Sequence, residues 1–202
     1  MRMALTAFFA AALFCAGDAA AQIAAQTPNL QLPNNQPTVL SAPAVEARRV
    51  QILRAAGVQP PPGGLSTATT LSVNTPTVPG ARLNFHNLAF YLPSVASGGT
   101  ATMRPNAGPG DISYVDIRFR ADARVRYIVD CVVTGQATTY QFERLTGPRT
   151  APRETRETTT VTRSEGRVAT LVPPAAVTGD QTLYLKSREQ WWFHQCEIVP
   201  VR

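Results

Sequence analysis

Four arginines carry the clearest chemistry in the chain. Arg118, Arg120, Arg124 and Arg126 lie at alternate positions on either side of Ala121-Asp122-Ala123, and Lys186 is the only lysine among 19 basic residues. A guanidinium is a planar fork that grips sulfate, phosphate or carboxylate through two parallel hydrogen bonds, which an ammonium cannot do. If the segment folds back on itself about Asp122, Arg120 faces Arg124 and Arg118 faces Arg126. Like charges directly opposite each other on a sheet cost some tenths of a kcal/mol per pair. They need either the nearby Asp116, Asp122 and Asp130 or a bound anion to offset them.

A second group is the aromatic triplet Trp191-Trp192-Phe193. Period-two alternation puts Trp192, His194, Cys196 and Ile198 on one face of that run and leaves Trp191 and Phe193 on the other. There the pair either fills the second side of a buried strand or offers rings on which a sugar can stack. The candidate ligand-binding residues are therefore Arg118, Arg120, Arg124, Arg126, Trp191 and Phe193.

Catalytic chemistry finds no comparable support. There is no recognisable nucleophile motif, phosphate-binding loop or metal-ligand spacing. The only histidines are His86 and His194, and Asp111, Asp116, Asp130 and Glu197 are scattered along the chain. The sequence predicts a protein that is not an enzyme and carries no cofactor and no metal.

The elements that must hold these residues begin with an export signal. Arg2 precedes the apolar run Ala4 to Ala16, Asp18 ends that run, and Ala19-Ala20-Ala21 supplies the small side chains of a cleavage site, so Gln22 starts the mature chain. The run is too short to span a bilayer, and no later segment is long and apolar enough to do so. Cys15 follows the bulky Phe14, which argues against lipid attachment. Removing residues 1–21 takes away one positive and one negative charge, Arg2 and Asp18, and leaves the net charge of +6 unchanged. It also leaves two cysteines, Cys131 and Cys196. An oxidising compartment pairs them by default.

Residues 22–66 read as a Pro-, Gln- and Ala-rich flexible arm that contains one short helix at about 43–56. Ser41 caps the helix, Pro43 occupies its first turn, Val45, Ile52, Leu53 and Ala56 form a narrow apolar stripe, and Gly57 ends it. From residue 67 to 202 the pattern changes to short alternating runs separated by Gly, Pro and Asp. Strands are expected at 69–74, 82–92, 112–120, 124–133, 138–145, 158–163, 167–172, 182–186 and 190–199. In the 112–133 hairpin, Val115, Ile117 and Phe119 alternate inward, as do Val125, Tyr127, Val129, Cys131 and Val133. The fold class expected is all-β: a disulfide-bonded antiparallel β-sandwich, immunoglobulin-like or jelly-roll-like, preceded by the arm and helix.

Together these features point to an exported protein, periplasmic or extracellular, with a binding role. Its expected partner is an anionic glycan or another envelope or matrix component; nucleic acid is not the usual target of basic charge outside the cell. The alternative is a structural or accessory subunit of a cell-envelope assembly that engages a protein partner.

Overall fold

The computed structural model describes residues 37–86, 88–91, 100–103, 114–145 and 156–202; for 88–91 and 100–103 it describes the backbone. The expected signal peptide, the arm as far as residue 36, Cys15 and Asp111 lie outside the described residues.

Among the described residues there is one helix, α1 (Ala42–Ala55), followed by β1 (Thr69–Ser72), β2 (Thr77–Val78), β3 (Ala81–His86), β4 (Leu88–Tyr91), β5 (Thr100–Met103), β6 (Tyr114–Ala121), β7 (Arg126–Gly135), β8 (Thr139–Leu145), β9 (Arg156–Thr162), β10 (Arg167–Val172), β11 (Gly179–Lys186) and β12 (Trp191–Val201). The strands form two antiparallel sheets. Sheet A has the order β10-β7-β12-β5-β4, with β1 lying along the C-terminal part of β12 beyond β5. Sheet B has the order β2-β3-β6-β11-β8-β9.

The inner faces of the two sheets make the core. Val115, Ile117 and Phe119 from β6 meet Val129, Cys131 and Val133 from β7, with Leu183, Leu185 and Phe142 from sheet B and Leu71, Trp191, Phe193 and Ile198 from sheet A. The alternation expected for 112–133 is therefore correct, but the hairpin is not. β6 pairs with β3 and β11 in sheet B, whereas β7 pairs with β10 and β12 in sheet A. The chain crosses the core between them instead of doubling back within one sheet. The run expected as one strand over 82–92 divides in a similar way: β3 belongs to sheet B and β4 to sheet A.

Cys131 and Cys196 are directly opposite each other on β7 and β12 and form a disulfide. The bond joins neighbours within one sheet. It differs from the immunoglobulin arrangement, in which the disulfide ties the two sheets together.

A bulge in β12 changes which aromatics face inward. The register against β7 shifts between Phe193 and Gln195. One extra residue flips every side chain on one side of it to the other face. Trp191 and Phe193 thus share the inner face with Cys196 and Ile198, while Trp192 lies on the other side with Thr134 beside it. The expected grouping of Trp192 and His194 with Cys196 is corrected accordingly.

The outer face of sheet A is covered by α1. Pro43 in the first turn favours helical φ, and Gly57, at φ 69, receives the chain as it leaves. The buried helical residues are Arg49 and Leu53, one turn apart, so the expected apolar stripe has an arginine at its centre and Ala56 is exposed. Leu53 is fully buried against Ile128 and Val199, worth about 2 kcal/mol.

Arg49 meets a problem that the sheet creates. Asp130 and Glu197 are direct cross-strand partners on β7 and β12, and like charges so placed repel. Arg49 donates from Nε to Asp130 Oδ2 at 3.1 Å and from Nη2 to Glu197 Oε2 at 2.6 Å. Arg167 donates from Nε to Asp130 Oδ1 at 2.9 Å and from Nη2 to Glu197. Two guanidinium groups thereby bracket two carboxylates, and Asp130 has no exposed surface. Burial works against the Arg167 charge, but the hydrogen bond and field of Asp130, with those of Glu197, outweigh it and leave Arg167 above the usual arginine value.

Candidate functional site

The outer face of sheet B carries a row of polar and aromatic side chains. Strand β6 runs between β3 and β11, and alternation brings Tyr114, Asp116, Arg118 and Arg120 to its outer side. These four positions span about 20 Å along the strand. The first three have a neighbour on either flank, and Arg120 has one on β11. His86, Asn84 and Arg82 on β3 lie beside Tyr114, Asp116 and Arg118. Lys186, Tyr184, Thr182 and Asp180 on β11 lie beside Tyr114, Asp116, Arg118 and Arg120. Glu143 on β8 extends the Tyr184 row.

Aromatic rings occupy one end of this track. His86 stacks on Tyr114 with centroids 4.4 Å apart and 21° between the planes, and Tyr184 meets Tyr114 nearly at right angles at 5.0 Å. The Arg156 guanidinium sits over the Tyr184 ring at 5.5 Å from its centroid. Since the rings stand against one another, they contribute edges and polar tips; they do not form a flat stacking surface.

The middle of the track is set by Asp116. Its side chain is fully buried, yet it points to the outer face, so its charge needs partners. Arg118 supplies them: Nε donates to Oδ1 at 3.1 Å and to Oδ2 at 2.8 Å, and Nη2 to Oδ2 at 2.5 Å. Asn84 Nδ2 adds a longer contact at 3.4 Å. The hydrogen bond that Arg118 donates to Asp116 raises the Arg118 pKa above its ordinary value, against partial desolvation. His86 Nε2 lies 3.9 Å from Asp116 Oδ2, beyond hydrogen-bond reach.

The other end is cationic. Arg82 and Arg118 are direct cross-strand partners, and Arg120 follows two residues on. Arg82 and Arg120 are exposed and make no ion pair with another described residue. Across the sheet, Glu143 accepts from Lys186 and from Arg156 at 3.2 Å, and so spends both cations internally. Among the described residues, the face therefore keeps two guanidinium groups without an ion pair, Arg82 and Arg120, the latter with Asp180 as its cross-strand neighbour, beside a third that Asp116 holds in place.

The expected site residues are distributed differently from the expectation. Arg118 and Arg120 are on this face. Arg124 lies in the turn between the sheets, and Arg126 opens β7 in sheet A, so the four do not form one ribbon. The pairs Arg120–Arg124 and Arg118–Arg126 do not exist, because β6 and β7 are in different sheets. Trp191 and Phe193 are fully buried in the core and offer no surface to a sugar ring. Arg82, Asn84, His86, Tyr114, Tyr184 and Lys186 are not among the site residues expected from the sequence. Their signal was alternation within β3, β6 and β11, and it becomes a site only once those strands are known to be adjacent.

Two other locations carry polar groups. A cleft of about 570 Å³ opens between α1 and sheet A over Arg49, Arg167 and Glu197, but its guanidinium groups are already committed to carboxylates. His194, at the bulge, is buried, and burial lowers its pKa to about 4; Thr134 Oγ1 lies 2.9 Å from its Nε2. Among the described residues, no three His, Cys, Asp or Glu side chains gather as a metal-ligand group, and no helix is long and apolar enough to cross a membrane.

Fold and surface together define a disulfide-bonded antiparallel β-sandwich with a helix docked on one face and a polar, cationic track on the other. No protein-family model matches the chain, and no curated protein sequence matches it at a significant level. Solved structures are similar in arrangement. A family two carbohydrate esterase from Cellvibrio japonicus is 8% identical over 66% of this chain and 33% of that one, with a TM-score of 0.41; this chain spans about a third of that structure's length. The C-terminal family 6 carbohydrate-binding module of a marine laminarinase from Zobellia galactanivorans is 13% identical over 65% of this chain and 98% of that one, with a TM-score of 0.36. A family 29 carbohydrate-binding module is 9% identical over 66% of this chain and 92% of that one, with a TM-score of 0.40. Likenesses this distant carry no information about a ligand.

Proposed function

We propose that this is an exported, non-catalytic protein that binds an anionic glycan of the cell envelope or extracellular matrix along the outer face of sheet B. The observation that carries the reading is the juxtaposition of Arg82, Arg118 and Arg120 at one end of a track whose other end offers Tyr114, Tyr184 and His86. Guanidinium groups suit the carboxylate or sulfate of an acidic sugar. The tyrosine hydroxyls and the Asn84 amide suit its hydroxyls. Asp116 holds the Arg118 fork in one orientation, which lowers the entropy lost on binding. Export is supported by the signal-like N-terminal residues and by the disulfide, which persists in oxidising compartments. An assembly role has one observation in its favour: among the described residues β9 pairs only with β8 and exposes most of its side chains, leaving a free sheet edge.

The test is retention of the mature chain on immobilised acidic and neutral polysaccharides over a range of salt, compared with an Arg82→Gln/Arg120→Gln variant. Both side chains are exposed and make no ion pair with another described residue, so the substitutions leave the described contacts of the fold intact. Binding to the acidic set that falls roughly tenfold in the variant and weakens with salt supports the reading. Equal retention of both proteins, or none by the wild type at low salt, refutes it.

A further inference from the structure

The end of the sandwich at which β6 crosses to β7 presents a surface that the glycan reading does not use. Arg124 lies in the left-handed region of backbone space, at φ 62. Its N–H donates to the Ala175 carbonyl at 2.8 Å, and the Ala123 N–H donates to Thr178 Oγ1 at 2.9 Å. These bonds fasten the crossing turn to the loop between β10 and β11, which reads Pro173-Pro174-Ala175-Ala176-Val177-Thr178. Val177 is 73% exposed, one of two large apolar side chains that stand out from the described surface. Arg126 lies opposite Val201 and one residue beyond the Tyr127–Val172 pair, so it flanks the start of the loop. Arg202 follows Val201 and reaches Asp122 at 2.8 Å.

We propose that this end docks on an anionic lipid surface, with the Pro173–Thr178 loop at the interface and Arg124, Arg126 and Arg202 over the headgroup phosphates. Charge complementarity supports this occupant: three exposed guanidinium groups lie around the loop, against Asp122, which pairs with Arg202, and Asp180 just after the loop. The apolar tip distinguishes it from a polysaccharide. A soluble polyanion gains nothing from Val177, whereas a bilayer rewards apolar surface placed at its headgroup boundary. Two consecutive prolines also lower the cost of approach, because they bring no backbone N–H that would have to leave water unsatisfied. Cationic residues near an anionic membrane each strengthen binding by roughly fivefold, and the effect is screened by salt.

The experiment is co-sedimentation of the mature chain with vesicles of phosphatidylcholine alone or mixed with phosphatidylglycerol. Arg124→Gln/Arg126→Gln and Val177→Asp variants are compared after circular dichroism confirms that they fold. Binding to the mixed vesicles is expected, reduced roughly twenty-fivefold by the double arginine variant and severalfold by Val177→Asp. Val177→Asp is expected to leave retention on acidic polysaccharide unchanged, which keeps failure of this proposal distinct from failure of the glycan reading. Absence of binding to the mixed vesicles at low salt overturns the proposal, as does binding that Val177→Asp does not weaken.

Discussion

Asp130 provides the most demanding test of how this fold is held together. It is fully buried on the outer side of β7, faces Glu197 across the strand pair, and is bracketed by Arg49 from α1 and Arg167 from β10. Replacing it with alanine leaves two nearly buried guanidinium groups with a single carboxylate between them. The cost of one uncompensated buried charge is about 3–5 kcal/mol. Arg49→Met keeps most of the apolar stem and leaves Arg167 on both carboxylates, but two charge-assisted hydrogen bonds are lost, about 3 kcal/mol. The double variant restores a neutral pair, Arg167 with Glu197, and should cost about 4 kcal/mol where the single effects sum to about 7. The coupling of about 3 kcal/mol is the quantity to measure. Urea unfolding followed by the fluorescence of Trp191 and Trp192 gives it, and native-state hydrogen exchange shows whether α1 opens before the sheets in Arg49→Met. Additive effects within about 0.5 kcal/mol, or an Asp130→Ala cost below about 1 kcal/mol, would refute the reasoning.

Further outcomes follow from single residues. Burial lowers the His194 pKa to about 4, while an unfolded histidine titrates near 6.5. Between those values the unfolded chain takes a proton that the folded chain refuses, so stability falls as pH drops through that window, by roughly 2–3 kcal/mol between about pH 7.5 and 4.5. His194→Gln should remove that part of the pH dependence in urea titrations. Gly135 has φ 106, and a Cβ there would lie 2.6 Å from the Trp192 ring and 2.9 Å from the Trp191 backbone. Gly135→Ala is expected to destabilise by about 2–3 kcal/mol or more; a shift in thermal midpoint of under about 4 °C would contradict that. The Cys131–Cys196 bond spans a sequence separation of 65, so a Cys131→Ala/Cys196→Ala variant should lose about 4 kcal/mol in chemical denaturation.

Alternation made the inward residues of this protein legible but not their partners. Val115, Ile117 and Phe119 on β6, and Tyr127, Val129, Cys131 and Val133 on β7, all face the core as the pattern requires. Period two is the same, however, whether two strands pair edge to edge or oppose each other across a core. The link Asp122 to Val125 is compatible with either, and only the wider sheet decides, because β3 and β11 compete for β6 while β10 and β12 compete for β7. The bulge at His194 was illegible for a different reason. It moves Trp191 and Phe193 from the outside to the core by a slip of one residue, and nothing in Trp-Trp-Phe-His distinguishes the two registers locally. The disulfide needed neither fact, since of the three cysteines only Cys131 and Cys196 lie outside the expected signal peptide.

The charged residues divide along the same line. The Arg118–Asp116 contact joins positions i and i+2 of one strand, so it follows from alternation alone. Arg82 beside Arg118, or Glu197 beside Asp130, follows only from knowing which strands are neighbours. Yet Asp130 did carry a readable sign. Its outward neighbours Ile128 and Val132 are apolar and its inward neighbours Val129 and Cys131 are buried, so β7 is apolar on both faces. A strand of that kind is covered on both sides, and a carboxylate within it must be met by a cation from whatever covers it. That covering element is α1, and Arg49 in the middle of its buried stripe is the cation. The two features that looked like separate exceptions to simple patterning, an acid in a buried strand and an arginine in a buried helix face, are one contact seen from its two ends.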